Sequence, residues 1–85
     1  MITTKDYRHS AWPEHYYQKL ALDSLKNKFF TEMSDKITKK LIEGERGWDN
    51  PEIKEALKKS LLHHIEKGDM VDVANIAMFI WNIEH

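Results

Sequence analysis

Cysteine is absent from this chain, so no disulfide can staple it. That matters at 85 residues, a length that buries about 60–65% of the unfolded surface and leaves a marginal core. Metal binding or oligomerisation are the remaining supports, and oligomerisation is the commoner one. The missing thiols fit a reducing compartment. An excess of one charge sign is lacking too: 13 Lys+Arg face 14 Asp+Glu, for a net charge of −1. A nucleic-acid binder of this size shows a clear basic excess, so nucleic acid is not an expected partner. The opening residues, MITTKDYRHS, hold no apolar run behind a basic flank, and no signal peptide is expected. The longest apolar stretch, near residues 70–83, is interrupted by Asp72, Asn75 and Asn82 and is too short to cross a bilayer. A cytoplasmic protein without a membrane partner is expected.

Glycine and proline are scarce, three and two respectively, and each sits where a helix would start or stop. Residues 1–9 show no periodicity and read as a flexible arm; residues 10–85 read as a single α-helical domain. A first helix is predicted from Ser10–Pro13 to about Glu43, with Gly44 ending it. Leu22, Leu25, Phe29, Phe30, Met33, Ile37 and Leu41 recur at three- and four-residue steps along it, while Tyr16 and Leu20 lie off that stripe. Such a helix either runs long, with part of its stripe against another subunit, or breaks near Ser34. Asn50, Pro51 and Glu52 form a strong start signal for a second helix over residues 51–67, which Gly68 stops. A third helix follows over 70–83. The expected fold is all-α: a long N-terminal helix plus two shorter ones, a helical bundle completed by oligomerisation.

The junction HHIEKGDMVD, residues 63–72, concentrates the polar chemistry. Ile53, Leu57, Leu61 and Ile65 define one side of the second helix, which places His64 inward and His63 outward. Adjacent helical residues are about 100° apart, so the two histidines make a poor metal clamp. His64 reads first as a core histidine bonded to a neighbour. Asp69 is the expected N-cap of the third helix, with Asp72 answering it as in a capping box. Asp72, Asn75 and Asn82 form a polar stripe on an otherwise apolar helix. It faces either water or the interior, where His64 or Ser60 would partner it.

The run from about Thr31 to Trp81, through KLIEGERGWDNP and DMVDVANIAMFIW, resembles small phage-encoded MazG-like proteins of the all-α nucleoside-triphosphate pyrophosphohydrolase superfamily. That family holds Mg²⁺ with E-E-x-x-E on one helix and E-x-x-D on the next. Here the second motif is matched as Asp69-x-x-Asp72, and His63, His64 and Lys67 stand where the first would align. Imidazoles and an ammonium do not replace carboxylates around a hard cation.

The favoured function is therefore a non-enzymatic, homo-oligomeric, phage-type binding protein in the host cytoplasm, with no catalytic residues, cofactor or metal. The resemblance implies a nucleotide-derived ligand. His64, Asp72 and Asn75 would read its polar edges, Lys58 and Lys67 would face phosphate, and Trp48 would stack on a base. One alternative is a Mg²⁺-dependent MazG-like pyrophosphohydrolase using Glu66, Asp69 and Asp72. Another is an inhibitor of a host protein that docks through an exposed face of the first helix.

Overall fold

The computed structural model describes residues 12–85. The expected arm over 1–9 and the cap at Ser10 lie outside the described residues. Three α-helices follow one another, α1 (Trp12–Ile42), α2 (Lys54–Lys67) and α3 (Met70–Glu84), with a 3₁₀ turn over Pro51–Ile53 leading into α2. No strand occurs among the described residues, and the fold is all-α as the sequence predicts. Of the two alternatives for the first helix, a long run or a break near Ser34, the long run forms, since α1 is one helix of 31 residues.

The chain divides into two compact units after Phe30. In the first, α1 carries ion pairs one turn apart: Asp23 receives Lys19 at 3.1 Å and Lys26 at 2.9 Å. Hydrogen bonds from Lys26 and Lys19 hold the Asp23 carboxyl below its ordinary range.

The second unit comprises residues 31–85, and its punctuation follows the residues predicted to supply it. Gly44 adopts φ 92° just past α1, and the Glu45 amide reaches back to the Lys40 carbonyl at 3.0 Å. Arg46 caps the same end, its guanidinium donating to the Leu41 carbonyl at 3.1 Å. Asn50 accepts from the Glu52 amide at 3.0 Å, fixing the entry to the 3₁₀ turn. At the far end of α2, Gly68 takes φ 78°. Its amide bonds the Ile65 carbonyl at 3.1 Å and that of Asp69 bonds His64 at 3.0 Å. These crossed bonds are a Schellman ending, which needs the left-handed residue that glycine supplies most easily.

The capping role assigned to Asp69 is not what forms. Its side chain makes no cap hydrogen bond; the carboxylate turns instead to the His64 ring at 3.4 Å. Asp72 likewise leaves the cap for Lys36. The Lys36 ammonium attracts Asp72 more strongly than a neutral amide does, and the His64 ring offers Asp69 a side-chain partner.

α3 packs along α2, and Lys54 reaches Glu84 at 3.4 Å to tie the start of one to the end of the other. Among the described residues the hydrophobic core is only Ile76 and Ile80, with Asn75 the one buried polar side chain, and no side chain is fully enclosed. Trp81, Leu62, Ile65, Met70 and Met78 stay exposed. That is little core for a unit of this length, and the apolar residues of α3 outnumber the positions its neighbours cover.

Candidate functional site

Two features occupy the second unit, an ionic cluster and an apolar cavity, and His64 belongs to both. The cluster gathers one side chain from α1, one from the α2 end, one from the junction and one from α3. Lys36 donates to Asp72 Oδ2 at 2.9 Å and stands 3.8 Å from Asp69 Oδ1. His64 Nδ1 lies 3.4 Å from Asp69 Oδ2 and 3.7 Å from Asp72 Oδ2. Lys67 flanks the group, 3.9 Å from Asp69.

Local geometry explains the meeting. His64 occupies the inward side of α2 one turn before Gly68, and the Schellman turn then carries Asp69 back over that end. Asp72 follows one turn into α3 and points the same way. Burial alone would raise the Asp72 pKa. The Lys36 hydrogen bond and the charges of Lys36, His64 and Lys40 outweigh it, holding the carboxyl below its ordinary range. The Asp72 hydrogen bond, aided by the charges of Asp72, Asp69 and Glu32, raises Lys36 against a smaller opposing effect of burial. At neutral pH the pair is ionised and mutually neutralised.

One imidazole nitrogen and two carboxylate oxygens, from His64, Asp69 and Asp72, lie within 4.8 Å of one another. The resemblance implies Mg²⁺ on Glu66, Asp69 and Asp72, and here the residues do not fit. Glu66 is exposed on α2 and is not part of the group. An imidazole takes the third position, and the Lys36 ammonium already neutralises Asp72. A hard cation that wants oxygen ligands is poorly served by that set.

Next along α3, Asn75 settles which way the polar stripe faces at its centre. It is buried, and its Nδ2 donates to the Met33 carbonyl of α1 at 3.2 Å. Its Oδ1 is buried with no hydrogen-bond partner. The partners expected from sequence, His64 and Ser60, are not those of Asn75. Lys36 and the Met33 carbonyl sit three residues apart on α1 and serve Asp72 and Asn75, themselves three apart on α3. Asn82 is exposed at the end of the stripe.

The cavity is a half-open cleft of about 620 Å³ between the end of α1, the following loop, α2 and α3. Ile37, Leu57 and Ile76 line its floor. Trp48 and Phe79 form one wall, their rings 5.6 Å apart and tilted by 35°. Trp81 lines it while remaining largely exposed. Lys40, Glu45 and Arg46 bring charge to it, and Ser60 and His64 add further polar groups.

Of the six residues expected to bind a ligand, the cavity collects His64 and Trp48. Asp72 belongs to the cluster and Asn75 to the buried contact with α1. Lys67 flanks the cluster, and Lys58 pairs with Glu55 at 3.8 Å on the outer side of α2. Neither lysine lines the cavity. Lys36, Lys40 and Phe79 are the additions that only the fold reveals.

No protein-family model, curated protein or solved structure matches the chain.

Proposed function

We propose that the chain is a non-enzymatic binding protein whose cavity takes a nucleotide-type ligand. The observation that carries this reading is one cavity combining the Trp48–Phe79 wall with Lys40 and Arg46. A base lies against the aromatic wall, an anionic group turns toward the two cations, and Ser60 and His64 read a polar edge. The volume suits such a ligand, since small-molecule sites run from about 300 to 1,000 Å³. The MazG-like resemblance supports a nucleotide as the ligand and a phage protein acting in a host cell.

Calorimetric titration with nucleoside mono- and triphosphates tests the reading, with tryptophan fluorescence as a second readout. Trp48→Ala is expected to weaken binding by about 1–3 kcal/mol, the worth of one base–aromatic stack. Failure of every nucleotide to bind at millimolar concentration would remove the proposal.

A second reading, Mg²⁺-dependent pyrophosphohydrolysis, draws on the closeness of Asp69 and Asp72. Against it stand the imidazole and the ammonium in the same cluster. Pyrophosphate release from a triphosphate panel with Mg²⁺ or Mn²⁺ separates the two readings. Turnover abolished by Asp72→Ala in a folded protein decides for the enzyme; binding without turnover decides for the binder.

A further inference from the structure

The charged end of the cleft is small. Lys40, Glu45 and Arg46 supply it, and the Lys40 ammonium stands 4.0 Å from the Glu45 carboxylate. Nη1 of Arg46 donates twice within the chain, to the Leu41 carbonyl at 3.1 Å and the Glu45 carbonyl at 2.7 Å. Its remaining donors lie on one edge, Nε and Nη2, a planar fork that fits a single phosphoryl group. The two carbonyl bonds also hold that fork in place before any ligand arrives.

We infer that the cleft selects a nucleotide with one phosphoryl group over the di- and triphosphate of the same base, a specificity that rests on the nucleotide reading above. A phosphate monoester carries about −1.5 to −2 charges at neutral pH, which Lys40 and Arg46 together match. Each further phosphoryl group adds about one negative charge and finds no spare cation. Lys58 and Lys67 do not line the cleft. Lys36 is bound to Asp72 at 2.9 Å, and Lys54 is paired with Glu84 at 3.4 Å. A proton on the His64 ring would be offset by Asp69 at 3.4 Å and Asp72 at 3.7 Å.

Backbone donors do not make up the shortfall. Sites that hold a chain of phosphates cradle it with free amides of a glycine-containing loop. In the loop after α1, the amides of Gly44, Glu45 and Asn50 already bond carbonyls, at 3.0 to 3.1 Å. Across residues 31–85, eight Lys and Arg face eleven Asp and Glu. The field of the whole unit therefore opposes a polyanion, while the Arg46 fork and Lys40 favour one anionic group locally.

Calorimetric titration of the full chain with adenosine, AMP, ADP and ATP tests the inference, repeated with the guanosine, cytidine and uridine series. EDTA is included so that no divalent cation shields the phosphates. The monophosphate should bind tightest. The nucleoside should be about tenfold weaker, having lost a charge-assisted contact. The triphosphate should be about fivefold weaker, since its extra charges face a net negative unit across screening solvent. Arg46 also caps α1, so Glu45→Gln is the decisive variant: its side chain is 61% exposed and its backbone carbonyl is kept. That change should narrow the gap between mono- and triphosphate. A triphosphate or a nucleoside that binds as tightly as the monophosphate overturns the inference alone, as does a gap unchanged in Glu45→Gln. Binding by no member of the four series removes the nucleotide reading and this specificity with it.

Discussion

Replacing Asn75 by leucine separates the two halves of what that buried amide does. In the native protein its Nδ2 donates to the Met33 carbonyl at 3.2 Å, while its Oδ1 is buried without a partner. The hydrogen bond contributes about 0.5–1.5 kcal/mol, and an unpaired buried acceptor costs about 1–3 kcal/mol. The Met33 carbonyl lies within α1 and keeps its helical partner when the amide is lost. Leucine removes both terms in a side chain of similar length, with a packing strain of up to about 1.5 kcal/mol. Asn75→Leu should therefore be neutral or stabilising by about 1 kcal/mol. Asn75→Ala forfeits the hydrogen bond and leaves a void, for a loss of about 1–3 kcal/mol. Asn75→Asp keeps the shape but buries a charge beside Asp72, and should be the worst of the three. Urea unfolding at one fixed protein concentration, compared through midpoints and slopes, ranks the variants. If leucine costs more than alanine, Oδ1 is satisfied in the working protein and the energetic account of this contact is wrong.

His64→Ala should cost about 1–3 kcal/mol through a void and the lost contact with Asp69, while His63→Ala, on the exposed side of α2, should lie within about 0.5 kcal/mol of neutral; matched thermal melts decide, and equal losses would mean that the helix phase is misread. Gly68→Ala should lose about 1 kcal/mol from left-handed backbone strain, because an added Cβ meets nothing within 4 Å; a neutral result by urea unfolding would show that this ending is not a stability determinant. Asp72 has a depressed pKa, so its contribution is complete above the ordinary value of 3.8 and is lost as pH falls through the lower folded value. Lys36 is shifted upward, so its contribution is complete below 10.5 and is lost only as pH rises past that. Stability should thus be flat in this pair's contribution at neutral pH, with an acid limb that Asp72→Asn shallows; an unchanged acid limb in that variant contradicts the Lys36–Asp72 coupling.

Punctuation and period were legible without any coordinates. Gly44, Asn50–Pro51 and Gly68 each act where the sequence put them, because left-handed backbone, fixed φ and an amide-accepting side chain are local requirements. The inward turn of His64 followed from helical phase alone. Local rules erred at Asp69 and Asp72, where a plausible cap lost its carboxylates to Lys36 and His64. No residue spacing along α3 could announce Lys36, more than thirty residues away in sequence.

The cavity as a whole was beyond reach, since Phe79 of α3 and Leu57 and Ser60 of α2 meet Lys40, Arg46 and Trp48 at the end of α1 and in the loop after it only in the folded unit. The sequence by itself determined the all-α class, the C-terminal end of α2 and the faces of its histidines, while the helix expected from residue 51 opens as a 3₁₀ turn and becomes α-helical only at Lys54. Tertiary structure decided which carboxylate meets which cation, because ion pairing depends on distances between segments that local preference does not control.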